Sequence, residues 1–375
     1  MSNTNDKHIE AVGSYLRPAE LKEARVKFAE GQISATDLRA IENRLITDVV
    51  KKQKEHGLPY ITDGEFRRSY WHLDFMWGLN GIERRTSRTG YMFHDEETTA
   101  DTAVVTGKIS GENHPFVEHF KFVKALEKDG QVARQTVPAP VQTYSEVILD
   151  RCDGQIESLR SVYADDEALI EDIAAAYRTV IADLYAAGCR SIQFDDCTWG
   201  IYCDADFVAK TGMDPVDIQK VSELGVRLNN LAIEGKPEDL VITTHVCRGN
   251  YHSTYAFEGG YDPIAPYLFA DENVDAFYLE FDTPRAGTFE PLKYVAEGKK
   301  VVLGLVTSKQ PGLEDEELLI SRINEAAKYV PLENLYLSPQ CGFASCECGN
   351  KLTEDEQWAK VALVKRVAEK VWGEA

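Results

Sequence analysis

Eight short runs rich in β-branched and aromatic residues recur along this chain. Longer stretches of helical period separate them. The runs are "AVGSYL" (11–16), "YITDGE" (60–65), "RQTVPAPV" (134–141), "SIQFDDC" (191–197), "LVITTHVC" (240–247), "FYLEFD" (277–282), "VVLGLV" (301–306) and "NLYLSPQC" (334–341). The intervening helices carry clear start and stop signals. Ser34 and Asp37 open one in capping-box fashion, apolar residues follow at Leu38, Ile41, Leu45 and Val49, and Gly57 offers a stop. Another runs from Asp166 towards Gly188, and Thr353 with Glu356 opens the last. Such alternation predicts an α/β fold, a closed parallel (β/α)8 TIM barrel. An open doubly wound sheet would want a glycine-rich phosphate turn after an early strand, and none is present. With 375 residues and no linker-like tract, the chain is read as a single barrel domain over 1–375. The segment at about 82–130 breaks the rhythm; it is expected to be an insertion with a hairpin between the second and third strands, a candidate lid.

Charge narrows the partners. A formal net charge of -21 repels nucleic acid and anionic membranes alike. No apolar run approaches a membrane span, and the N-terminal stretch lacks a basic segment followed by an apolar one, so a cytoplasmic location is expected. Eight cysteines in a chain able to build a large core point to metal or thiol chemistry rather than to disulfide staples.

In a barrel of this kind, the C-terminal ends of the strands face one mouth. The first run ends near Gly13 and Ser14, the second at Asp63-Gly64-Glu65, the fourth at Asp195-Asp196-Cys197, the fifth at His245 and Cys247, the sixth at Glu280 and the eighth at Cys341. His245 and Cys247 have strand spacing i, i+2 and so point to one face. Zn2+ accepts Cys, His and carboxylate in near-tetrahedral array, and Glu280 with Cys341 would complete a four-residue set. Each residue also has a plain alternative. The cysteines could be small core residues, His245 a satisfied core histidine, and Glu280 the ion-pair partner of Arg285. A rival metal set is Cys341, Cys346 and Cys348 with Glu347 or His252.

The remaining mouth residues suit a small amino acid. Glu65 and Asp195 could hold an ammonium group, and Ser14 a carboxylate. The alternatives are an ion pair of Glu65 with Arg67 or Arg68, and helix capping by Asp195 and Asp196. Tyr144, Trp71, Trp77 and Trp199 could wall a flat ligand or simply pack.

Several short motifs in order now carry a resemblance. "VGSYLRP", "TDGEFRR", "IQFDD", "THVC", "LEFD" and "SPQCGF" are similar to segments of the cobalamin-independent methionine synthase family, in its C-terminal catalytic barrel. The resemblance spans nearly the whole chain, which has the length of one barrel where the usual family enzyme has two. It implies a zinc-dependent methyltransferase that makes methionine from homocysteine, with 5-methyltetrahydrofolate as methyl donor. It implies His245, Cys247, Glu280 and Cys341 as zinc ligands. It also implies Gly13, Ser14, Glu65 and Asp195 around homocysteine, and Tyr144 where the family often has a tryptophan against the pterin. The partners are then small molecules.

A tertiary amine leaves poorly until protonated, so the reaction needs an acid. Asp196, Lys309 and water are the candidates. Thr307-Ser308-Lys309 stands where longer enzymes of the family often have Asp-x-His, so the donor side departs from the pattern. Two other readings stay open: a related zinc thiol methyltransferase with a different donor or acceptor, and a zinc or thiol-redox protein without turnover.

Overall fold

The computed structural model describes residues 7–128 and 130–373. Its strands, in chain order, are β1 Tyr60–Ile61, β2 Asn80–Thr86, β3 Met92–Phe93, β4 Glu96–Glu97, β5 Asp101–Ser110, β6 Val132–Ala133, β7 Gln135–Pro138, β8 Ser191–Asp195, β9 Val241–Val246, β10 Ala276–Glu280, β11 Lys300–Val306 and β12 Leu335–Pro339. Strands β7 to β12 pair in sequence order into a six-stranded parallel sheet. Their near-continuous burial, complete in β7, β8, β10 and β12, is that of strands covered on both faces.

The first run differs from expectation. Residues 11–16 form no ladder; the chain there makes only isolated parallel bridges, Ile9 to Leu337 of β12 and Ser14 to Gly64 just past β1. Gly13 explains this, because its φ of 117° takes the backbone out of the β region and ends an extended ladder. The other side of β1 pairs in parallel with β6, which runs on through Arg134 into β7. The N-terminal segment thus links β12 to the β1 end, and a ring of eight positions is completed by single bridges. The barrel class holds, with a loosely stitched seam.

The helices follow their signals. Ser34 and Asp37 cap Ala35–Glu55 reciprocally, Asp165 caps Asp166–Ala186, and Thr353 with Glu356 caps Glu354–Trp372. None of the described helices is long and apolar enough to cross a membrane. Between β1 and β6, β2 pairs antiparallel with β5, and the small β3/β4 hairpin sits at the tip of that arm. The tip is fastened across the barrel mouth. Glu96 lies 2.7 Å from Lys351 and 3.0 Å from His252, and the Phe93 ring packs on Tyr251 at 5.3 Å.

Every candidate strand is shorter than its run at the C-terminal end except β11, so most of the expected mouth residues fall on tips or just beyond them. Polar side chains at i, i+2 on β8 and β9, Gln193 with Asp195 and Thr243 with His245, share the barrel interior.

Candidate active site

The end of β9 and the loop after β12 bring together three side chains that could ligate a soft metal. One ligand atom each of His245, Cys247 and Cys341 lies within 4.8 Å of the other two, and all three residues are buried. The His245 Nε2 is 3.4 Å from the Cys341 Sγ. The other imidazole nitrogen, Nδ1, is buried with no hydrogen-bond partner. An orphaned nitrogen beside two thiols is a donor set that fits a thiophilic ion such as zinc. The Cys247 thiol is held well below the ordinary thiol range, chiefly by the hydrogen bond from Cys197 and then by that from Cys341.

Glu280 stands outside this group. Its Oε2 accepts the Arg248 N–H at 2.7 Å, and its Oε1 pairs with the Arg285 guanidinium and lies 3.7 Å from the Lys309 Nζ. Burial would raise its pKa, but Lys309 and Arg285 hold it below the usual carboxylate range. The expected four-residue set is therefore three residues plus a carboxylate already neutralised by cations. The rival set also fails to assemble. Among the described residues, the only such group of three or more possible ligands is His245, Cys247 and Cys341, while Cys348 is exposed.

Beside these three residues opens a cavity of ≈ 320 Å³, lined among others by Ser14, Glu65 and Asp195. Glu65 is held at φ 61°, a strained conformation for a non-glycine residue. Its Oε1 accepts from Arg68 at 3.2 Å and from Thr136 Oγ1 at 3.0 Å. Its Oε2 is buried with no partner. The ion pair with Arg68 and a free acceptor thus coexist on one carboxylate. The Asp195 carboxyl is pushed up to about 7, mainly by burial, with Glu65 adding and His245 opposing. Asp195 Oδ1 accepts from Gln193 at 2.9 Å. Gly13 does not line the cavity but turns the chain so that Ser14 does. The Ser14 hydroxyl fits only because residue 342 is glycine; a Cβ there would come within 1.8 Å of its Oγ.

Three predicted residues lie elsewhere. Tyr144 does not line the cavity, since its hydroxyl donates to Asp166 Oδ2 at 3.3 Å. On the helix Pro140–Ile148 the cavity-facing positions are Gln142, Ser145, Glu146 and, just past its end, Leu149, and position 144 is turned away from them. Asp196 is fully buried behind the mouth, accepting from Trp199 Nε1 at 2.8 Å and Asn229 Nδ2 at 3.1 Å. Consecutive residues at a strand end face opposite sides, so Asp195 and Asp196 cannot both enter the mouth. Lys309 is buried beside Glu280 and also outside the cavity wall. Of the tryptophans, only Trp71 lines the cavity, whereas Trp77 and Trp199 pack elsewhere.

Sequence reasoning missed the outer wall. His72, Tyr91 and Phe93 line it, the last two delivered by the inserted hairpin, for which strand-end logic has no rule. The His72 imidazole is pulled down to about 3 by burial and is neutral. Cys197 was placed at a strand tip but given no role. Its Sγ lies 3.1 Å from that of Cys247. A signal was available: both cysteines stand two residues beyond a pair in register, Asp195 and His245.

Fold and mouth together define a class, a parallel α/β barrel whose strand tips carry a thiol–imidazole cluster beside an amino-acid-sized polar cradle. A family model described as the catalytic domain of cobalamin-independent synthase matches residues 9–370. The chain belongs to that family, a methyltransferase family of the methionine synthase type. It is 42% identical over 365 residues to the uncharacterized protein YxjH of Bacillus subtilis, covering 96% of this chain and 93% of that one. It is 25% identical over 336 residues to a methionine synthase of Saccharolobus solfataricus, covering 88% and 86%. The solved structure of a putative vitamin-B12 independent methionine synthase from Listeria monocytogenes matches with TM-score 0.75 and 39% identity over 98% of both chains.

Proposed function

We propose that this chain is a zinc-dependent methyltransferase that methylates the thiol of homocysteine, with 5-methyltetrahydrofolate as donor. One observation carries the reading: His245, Cys247 and Cys341 converge beside a cavity lined by Glu65, whose carboxylate keeps one buried oxygen without a partner. A zinc ion held by these three residues would supply the Lewis acidity that keeps an incoming thiol deprotonated at neutral pH.

The chain's own residues do the rest. Glu65 Oε2 accepts the substrate ammonium, and Asp195 adds a second carboxylate on the same side. The Ser14 hydroxyl donates to the substrate carboxylate. These three contacts fix the amino acid, so its thiol chain extends towards the cluster. Trp71, Tyr91 and Phe93 wall the outer cavity and hold the donor's flat ring over the sulfur. Asp196 and Lys309 do not line the cavity, so the proton for the leaving amine comes through water at the mouth.

A second reading keeps the acceptor and changes the donor. It draws on Tyr144, which points to Asp166 instead of into the cavity, so the residue expected against a pterin is absent from the wall. Metal analysis joined to a methyl-transfer assay tests both. One zinc per chain and methionine formed from homocysteine and methyltetrahydrofolate is the expected result. Zinc without turnover of that donor supports the second reading, and a chain that binds no zinc refutes both.

A further inference from the structure

Cys197 has no part in the function argued so far, yet it sits against the ligand cluster. The pairing of β8 with β9 puts Asp195 opposite His245, and the Asp196 N–H continues that pairing by donating to the His245 carbonyl at 2.8 Å. Continued one step further, the same register sets Cys197 beside Cys247, their sulfurs 3.1 Å apart. Cys197 is not free to drift. Asp196 accepts the Thr198 N–H and the Trp199 indole, which ties down the first turn of the helix that follows. Gly200 lets that helix lie close to the Cys247 carbonyl, 3.1 Å from where a Cβ would stand.

The two protein thiols of the cluster are therefore not equivalent. The Cys247 sulfur receives the Gly249 N–H at 3.4 Å and faces the Cys197 thiol. Among the described residues, no backbone N–H reaches the Cys341 sulfur. A sulfur that ligates a metal carries no proton, so across the 3.1 Å contact the Cys197 thiol is the donor and the Cys247 sulfur the acceptor. A hydrogen bond to a ligating thiolate withdraws electron density from it, as outer partners of metal ligands do.

This matters to a reaction of the kind proposed above. Every thiolate in the cluster is a nucleophile facing the same electrophilic methyl group. We infer that Cys197 is a positioning residue whose thiol, by donating to the Cys247 sulfur, damps that sulfur as a nucleophile and keeps the methyl group off the protein. The inference rests on the metal reading, because it concerns the sulfurs of the ligated cluster.

Methyl iodide on the zinc-loaded full chain, without homocysteine, tests it. The attacking sulfur forms a C–S bond with its lone pair as the C–I bond breaks and iodide leaves with the pair. The methylated cysteine is then located by peptide mass spectrometry. In the parent protein Cys341 is expected to be methylated ahead of Cys247. In Cys197→Ala the rate at Cys247 rises on the order of threefold to tenfold, the effect of losing a weak charge-assisted hydrogen bond. Cys197→Ser, whose hydroxyl can donate in its place, restores the parent pattern. Cobalt(II) gives a readout independent of alkylation: the sulfur-to-cobalt charge-transfer band moves to lower energy in the alanine variant and returns in the serine variant. An unchanged methylation pattern and band in a Cys197→Ala protein that still holds one zinc overturns the inference. So does loss of zinc from that variant, which would make Cys197 a ligand. Absence of zinc from the parent refutes the metal reading itself, and this proposal with it.

Discussion

The two ends of the barrel bury charged groups in different ways. At the N-terminal end, Arg134 reaches Glu10 at 3.1 Å and Ser191 Oγ at 3.0 Å, with its guanidinium 3.7 Å over the Tyr60 ring and 5.3 Å from that of Tyr278. Charge meets counter-charge, and aromatic faces cover what remains. At the C-terminal end the buried atoms without a hydrogen-bond partner include Glu65 Oε2, His245 Nδ1 and Lys309 Nζ, the last lying 3.7 Å from Glu280 Oε1. Unpaired buried groups cost stability and persist where something else partners them. Thr243 Oγ1 also lacks a partner beside Arg134, but the charges at that end are paired and serve the fold, whereas the unpartnered charged groups at the mouth are where ligands belong.

Substitutions at the two ends should therefore separate activity from stability. The largest effect is expected at the mouth. Cys341→Ser removes zinc and lowers methyl transfer by more than about a thousandfold, in line with losing a group on which the chemistry depends. Full zinc occupancy with normal thiol alkylation in that variant would contradict the ligand assignment. Next comes the opposite end. Arg134→Met leaves Glu10 buried and unpaired, and should cost about 3–5 kcal/mol in urea unfolding. The surviving folded enzyme should keep its KM; a raised KM would erase the division between the ends.

A smaller effect isolates the cradle. Glu65→Gln should raise the KM for homocysteine about 10- to 100-fold while zinc content stays at the parent value. An unchanged KM would remove Glu65 from the substrate contacts. The pH response sharpens the same point. Asp195 titrates near 7 because it is buried, and its ionised form is the one that accepts an ammonium group. Homocysteine affinity should thus be full above that value and fall as pH drops through it, by up to about tenfold per unit below it. Asp195→Asn should flatten the profile, and a slope that survives in Asp195→Asn would assign the titration elsewhere. The smallest effect is expected for Tyr144→Phe, which loses one hydrogen bond of about 1 kcal/mol or less at Asp166 and leaves both KM values unchanged. A shift in the donor KM would return Tyr144 to the donor wall.

How legible the site was depended on how each residue is positioned. His245 and Cys247 could be paired from sequence because i, i+2 on one strand fixes a common face. Glu65, Asp195 and Cys341 could be gathered because parallel strands of a barrel end at one mouth. The same rule drew in Asp196, which alternation turns to the helix side, and Tyr144, which helical phase turns away. Glu280 shows another limit. Its place near the mouth was readable, but its engagement with Arg285, Arg248 and Lys309 joins three separate segments. Tyr91 and Phe93 arrive on an inserted hairpin whose reach across the mouth no periodicity encodes.

The sequence by itself determined the alternation of strands and helices, the caps that start the helices, and the set of candidate soft ligands at the strand tips. These follow from local periodicity and spacing, which act over a few residues. Only the tertiary structure decided which tips share a site, which carboxylates are neutralised by cations, and that Cys197 rests against Cys247. Those outcomes depend on pairing register and on charges brought together across long stretches of chain. Such contacts are settled by packing as a whole, because a buried polar group is satisfied by whichever partner the folded chain places beside it.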